Sequence, residues 1–97
     1  MKLRYTTGAA AELDEILSFI DERSPHGARS IKARIQAMTD LLLRHPQAGP
    51  LTSKSDIRRM VVYPYPFLIF YRATEIEITI HGVRHSARRP SLPKPEE

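Results

Sequence analysis

The chain has 97 residues and a mass of 11.1 kDa, with no cysteine and no tryptophan; at that size two separate cores would each be too small to support themselves, so a multidomain enzyme is excluded. With 41% apolar and 27% charged residues, the composition is that of a chain able to bury a core without disulfide or metal help. Fifteen Lys and Arg against eleven Asp and Glu give a net charge of +4, which points to an anionic partner or a basic contact surface without saying which.

Leu3 and Tyr5 alternate with Lys2 and Arg4 ahead of Thr6-Thr7-Gly8, which predicts a short strand leading into a helix start. From Ala9, the residues Leu13, Ile16, Leu17 and Ile20 recur at helical spacing. Glu12, Asp14 and Glu15 stand early in that helix, where negative charge complements the dipole. Ser24-Pro25 is a break and a restart, a good N-cap followed by proline at the first helical position. The second helix carries Ala28, Ile31, Ile35, Met38 and Leu42 in steps of 3 and 4, a narrow seam suited to packing one helix along another. His45-Pro46 ends it, because the residue before proline avoids helical dihedrals.

Residues 46–56 are a connecting loop by composition, after which the periodicity becomes extended. Three strands are expected: Ile57 to Tyr63, Phe67 to Arg72, and Glu75 to Val83. The second is apolar on both faces and so central; the third alternates Ile76, Ile78 and Ile80 against Glu77, Thr79 and His81, as a half-buried strand does. The short links predict an antiparallel meander. The expected class is therefore α+β in the order β-α-α-β-β-β, an antiparallel sheet with an N-terminal helical hairpin on one face. Residues 90–97, with three prolines, are expected to be a flexible tail.

Several kinds of chemistry are poorly served. Without cysteine there is no thiolate nucleophile and no Cys-type zinc site; no G-x-S-x-G turn and no glycine-rich phosphate loop occurs. His81 and His85 are four apart on a strand with no carboxylate between them, so neither a metal nor a cofactor is expected. The longest apolar run, Phe67 to Tyr71, is far short of the roughly 20 residues of a membrane helix, and with no apolar leader at the N-terminus a cytoplasmic protein is expected.

The informative residues are cations on the sheet. Eleven of the fifteen are Arg, and residues 84–95 hold Arg84, Arg88, Arg89 and Lys94 with no acid; the planar guanidinium fork suits phosphate and carboxylate groups. Arg59 shares a strand face with Ile57 and Val61, and Arg58 with Met60 and Val62, so one of the two lies across an apolar face. Arg84, His85 and Arg88 stand where the last strand ends, placed to meet phosphates, an acidic partner segment or water.

The ordered series Ala9-Ala10-Ala11-Glu12-Leu13-Asp14-Glu15-Ile16, Ile57-Arg58-Arg59, Tyr65-Pro66-Phe67-Leu68-Ile69-Phe70-Tyr71-Arg72 and His85-Ser86-Ala87-Arg88 resembles the ParE/RelE superfamily of toxins from type II toxin–antitoxin modules. It covers about residues 1–89. The resemblance implies a bacterial cytoplasmic toxin with a cognate ParD-like antitoxin. RelE-like members cleave messenger RNA on the ribosome, and on that branch Arg59, Arg72, His85 and Arg88 would be the catalytic set. ParE-like members are described as inhibiting DNA gyrase. No aromatic residue follows Tyr71, so the ribonuclease pattern is incomplete and the ParE-like branch is favoured, with Arg58, Arg59, Arg84, His85, Arg88 and Arg89 as partner-binding residues.

Overall fold

The computed structural model describes residues 1–87; Arg88, Arg89 and the expected tail at 90–97 lie outside the described residues. Strand β1 (Lys2–Tyr5) is followed by helices α1 (Thr7–Asp21) and α2 (Pro25–Arg44), and then by strands β2 (Arg58–Val61), β3 (Phe67–Ala73) and β4 (Glu77–His85). The expected order β-α-α-β-β-β is present.

Both helix starts follow from side-chain caps. The Thr6 hydroxyl accepts from Ala9 N at 3.0 Å and the Ser24 hydroxyl from Gly27 N at 2.9 Å, with Pro25 at the first position of α2. Because the Thr6 cap starts α1 two residues before Ala9, its first turn holds no acid, and the expected dipole role of Glu12 gives way to a different one described below. In α2 all five seam residues, Ala28, Ile31, Ile35, Met38 and Leu42, are buried. In α1 only Ala9 is; Leu13, Ile16, Leu17 and Ile20 are half-buried against the core.

The sheet order is β1-β4-β3-β2. The pairs β2–β3 and β3–β4 are antiparallel, as the meander requires, but β1 pairs with β4 in parallel, so the sheet is mixed and not wholly antiparallel. The reason is the path of the chain. Residues 46–56 run back after α2, with Leu51 bridging Arg58 in antiparallel sense, so β2 starts out in the direction of β1. Two reversals later β4 runs that way again.

Two further expectations are corrected. The alternation predicts Ile76 inward with Ile78 and Ile80, yet it sits 73% exposed on the β3–β4 turn. There Thr74 Oγ1 accepts from the amides of Ile76 and Glu77, and β4 begins only at Glu77. The alternation predicts His81 outward with Glu77 and Thr79, yet it is buried. Phe70 pairs with Gly82 and Tyr71 with Ile80, leaving His81 as the extra residue of a bulge. Paired on both sides, β4 is central and its residues 78–83 are all buried.

The main core lies between the hairpin and one sheet face, where Ile31, Ile35, Met38 and Leu42 meet Val62, Ile69, Tyr71, Ile78, Ile80 and Val83. Ile57, Leu68 and Phe70 form a smaller cluster on the opposite face.

Candidate interaction surface

The strand period splits the expected site residues between two faces. Arg58 falls on the hairpin side with Met60 and Val62. It is half-buried, and its Nη1 donates to Gly49 O at 2.8 Å and more weakly to Gln47 O at 3.5 Å. Next to it the Tyr71 hydroxyl accepts from Gly49 N and donates to Pro46 O, both at 2.9 Å. Burial raises the Tyr71 phenol above its usual range, against the opposing pull of the Gly49 N–H and the Arg58 charge. Arg58 and Tyr71 thus pin residues 46–49 to the sheet. No periodic pattern in the sequence marks this contact, because a loop carbonyl accepts from any donor that reaches it.

Arg59 is exposed on the other face, paired across to Phe70, and Arg72 stands two residues further along β3. Arg84 shares that face, its guanidinium carbon 5.9 Å from the Phe70 ring centroid, and its Nε lies 3.2 Å from Glu12 Oε2. Lys2 and Arg4 join the same face from β1, where Arg4 Nε meets Glu77 Oε2 at 3.3 Å. A hydrogen bond from the Thr79 hydroxyl, and then Arg4, holds the Glu77 carboxyl below its usual range.

His85 is elsewhere. It pairs with Phe67, a residue of the hairpin-side core, and the two rings meet edge to face at 5.4 Å. Its Nδ1 accepts from Ala87 N at 3.0 Å. Arg72 lies five residues along β3 from Phe67, about 16 Å of strand, and on the opposite face. Of the four residues of a ribonuclease set, the structure brings Arg59 and Arg72 together, sets His85 apart from them, and leaves Arg88 outside the described residues.

The sheet's edges are treated unequally. Along the outer side of β2, Arg59 N donates to Pro50 O at 3.0 Å, Thr52 N donates to Ile57 O at 2.8 Å, and Tyr63 O accepts from Arg34 Nε at 2.6 Å. Where β4 runs beyond the end of β1, Glu12 covers it, accepting from Val83 N at 3.0 Å as well as from Arg84. Among the described residues, strand β1 has no such cover. Lys2 N bonds Ile76 O and Thr6 N bonds Ile80 O, so in this parallel ladder the even-numbered residues face β4. Leu3 and Tyr5 turn their N–H and C=O groups outward, and among the described residues nothing pairs with them. Leu3, Met1 and Ile76 are exposed beside this edge.

Among the described residues, a two-helix hairpin thus packs on a four-stranded mixed sheet whose second face carries several arginines and whose β1 edge is uncovered. The comparisons with known proteins define it further. The model of the ParE toxin of the type II toxin–antitoxin system parDE matches residues 3–90, and the chain belongs to that family. It is 32% identical over 84 residues to Toxin RelE2 of Caulobacter vibrioides, covering 87% of this chain and 93% of the relative. It is 31% identical over 85 residues to Y4kP of Sinorhizobium fredii, covering 88% of each. The chromosomal ParDE TA system from P. aeruginosa supplies a structural match with a TM-score of 0.75 and 25% identity, covering 88% of this chain and 95% of that one. Among the described residues no helix is long and apolar enough to cross a membrane.

Proposed function

We propose that this toxin acts in the bacterial cytoplasm by binding a protein, DNA gyrase, and not by cutting RNA. The observation that carries the choice is the separation of His85 from Arg59 and Arg72. General acid–base cleavage needs its proton donor within hydrogen-bond reach of the phosphate that the cations hold. A residue on the opposite face of the sheet, edge-on to Phe67, does not meet that condition. The arginine-rich face, with Phe70 and Leu68 between the cations, suits a protein surface bearing carboxylates.

Neutralisation falls to a ParD-like antitoxin, as the structural likeness to a ParDE system suggests. Its extended segment adds to the outer edge of β1, the open edge, with main-chain hydrogen bonds to Leu3 and Tyr5. Lys2 and Arg4 on one face favour an acidic strand there. They also oppose pairing with a second copy of this chain, since antiparallel self-pairing would bring two Arg4 side chains opposite each other.

The test is a supercoiling assay. The purified chain should inhibit gyrase on relaxed plasmid, and equimolar antitoxin should restore the activity. Undiminished supercoiling at a large excess of the chain would overturn the gyrase reading.

A further inference from the structure

At the end of the sheet away from His85, a cleft of about 560 Å³ opens between the end of α2 and the β3–β4 turn, within the size range of small-molecule sites. Arg44 and His45 line it from the helix end, Arg58 from β2, Ala73 and Glu75 from the turn, and Met1 from the start of the chain. Two arginines and a histidine therefore line the cleft against a single acidic residue.

Arg58 is the unusual member. It is partly buried, yet its contacts are the neutral carbonyls of Gln47 and Gly49, and among the described residues neither it nor Arg44 enters an ion pair. A partly desolvated guanidinium is ordinarily matched by a carboxylate. Carbonyl contacts through Nη1 leave donors free among its five N–H groups. The wall beside it is already fixed, since the Tyr71 hydroxyl holds Pro46 and Gly49 in place, so little ordering opposes a ligand.

We propose that this cleft binds a small phosphorylated molecule of mononucleotide size, with Arg58 and Arg44 on the phosphate and the organic part against Ala73 and Met1. A phosphate offers three oxygens to donors arriving from separate elements, whereas one guanidinium fork satisfies a carboxylate. Glu75 opposite repels a longer polyanion and can accept from a hydroxyl of the ligand, which favours a monophosphate over a nucleic-acid backbone.

The test is an amide-resolved NMR titration of the full chain with AMP, adenosine and inorganic phosphate at about 0.15 M salt. AMP should bind saturably, with shifts confined to residues 44–48, 58 and 73–75. Inorganic phosphate should shift the same amides more weakly, and adenosine should not. Arg44→Gln, an exposed change that leaves the fold intact, should weaken AMP binding about tenfold, and Arg23→Gln, an exposed cation in the turn between α1 and α2, should leave it unchanged. Arg58→Lys, checked for folding by circular dichroism, should also weaken it by removing the fork. The proposal is overturned if neither AMP nor phosphate gives saturable shifts at the cleft, if adenosine binds as well as AMP, or if Arg23→Gln weakens binding as much as Arg44→Gln does.

Discussion

Gly49 holds a place that no larger residue can take. A Cβ there would lie 2.6 Å from Arg59 O and 3.0 Å from the Tyr71 ring and hydroxyl, and the first of these is backbone that cannot swing aside. Gly49→Ala should cost about 1–3 kcal/mol, read as a lower urea midpoint. Tyr71→Phe removes the hydroxyl that serves Gly49 N and Pro46 O; leaving those buried groups unmatched should cost about 1–3 kcal/mol. The same hydroxyl sets an alkaline limit. Burial raises the phenols of Tyr71 and Tyr5 above the usual value, so the folded state keeps its protons to higher pH than the unfolded chain. That stability is fully present below the unfolded pKa of about 10 and is lost as pH rises beyond it. Unfolding free energy measured from pH 8 to 11 should therefore fall at the alkaline end, and less steeply in Tyr71→Phe.

Among the elements, the hairpin was the most legible in the sequence and β4 the least. Ala28, Ile31, Ile35, Met38 and Leu42 repeat at the helical period and are buried together because a helix carries its phase unbroken over many turns. A strand's phase survives only until a bulge, and the extra residue at His81 reverses the expected inside and outside from that point on. The direction of β1 depended on how residues 46–56 return, which no local pattern encodes. The split of Arg58 and Arg59 between two faces was readable from the period of two, but which arginine met the loop was not. The role of Glu12 was hidden as well, because its partners Val83 and Arg84 lie 71 and 72 residues away. Glu12→Ala should speed hydrogen exchange at the Val83 amide and cost about 1–3 kcal/mol by leaving that donor unpaired.

The open edge of β1 gives the element-scale test of the antitoxin's position. Leu3 N points away from β4, so Leu3→Pro removes an outward donor without touching the ladder, a substitution edge strands tolerate. It should weaken antitoxin binding by about tenfold or more while Leu3→Ala, which keeps the N–H, has a smaller effect. Equal affinities for Leu3→Pro and the unaltered chain would place the antitoxin strand elsewhere.

For the whole molecule, the net charge of +4 resolves into committed and available cations. Arg84 and Arg4 lie against Glu12 and Glu77, and Arg58 holds a loop. Arg59 and Arg72 remain on the second sheet face, and among the described residues neither forms an ion pair. These are the charges that would meet an acidic surface, so Arg59→Glu combined with Arg72→Glu should abolish toxicity while leaving antitoxin binding at the β1 edge in place. A ribonuclease would instead need those arginines together with a proton-transfer group that the fold sets on the opposite face. The most direct measurement is to induce the chain alone in a bacterium and follow protein synthesis, message integrity and cell shape together. Gyrase inhibition predicts filamentous cells with a DNA-damage response while translation continues; rapid arrest of translation with cleaved messages would contradict it.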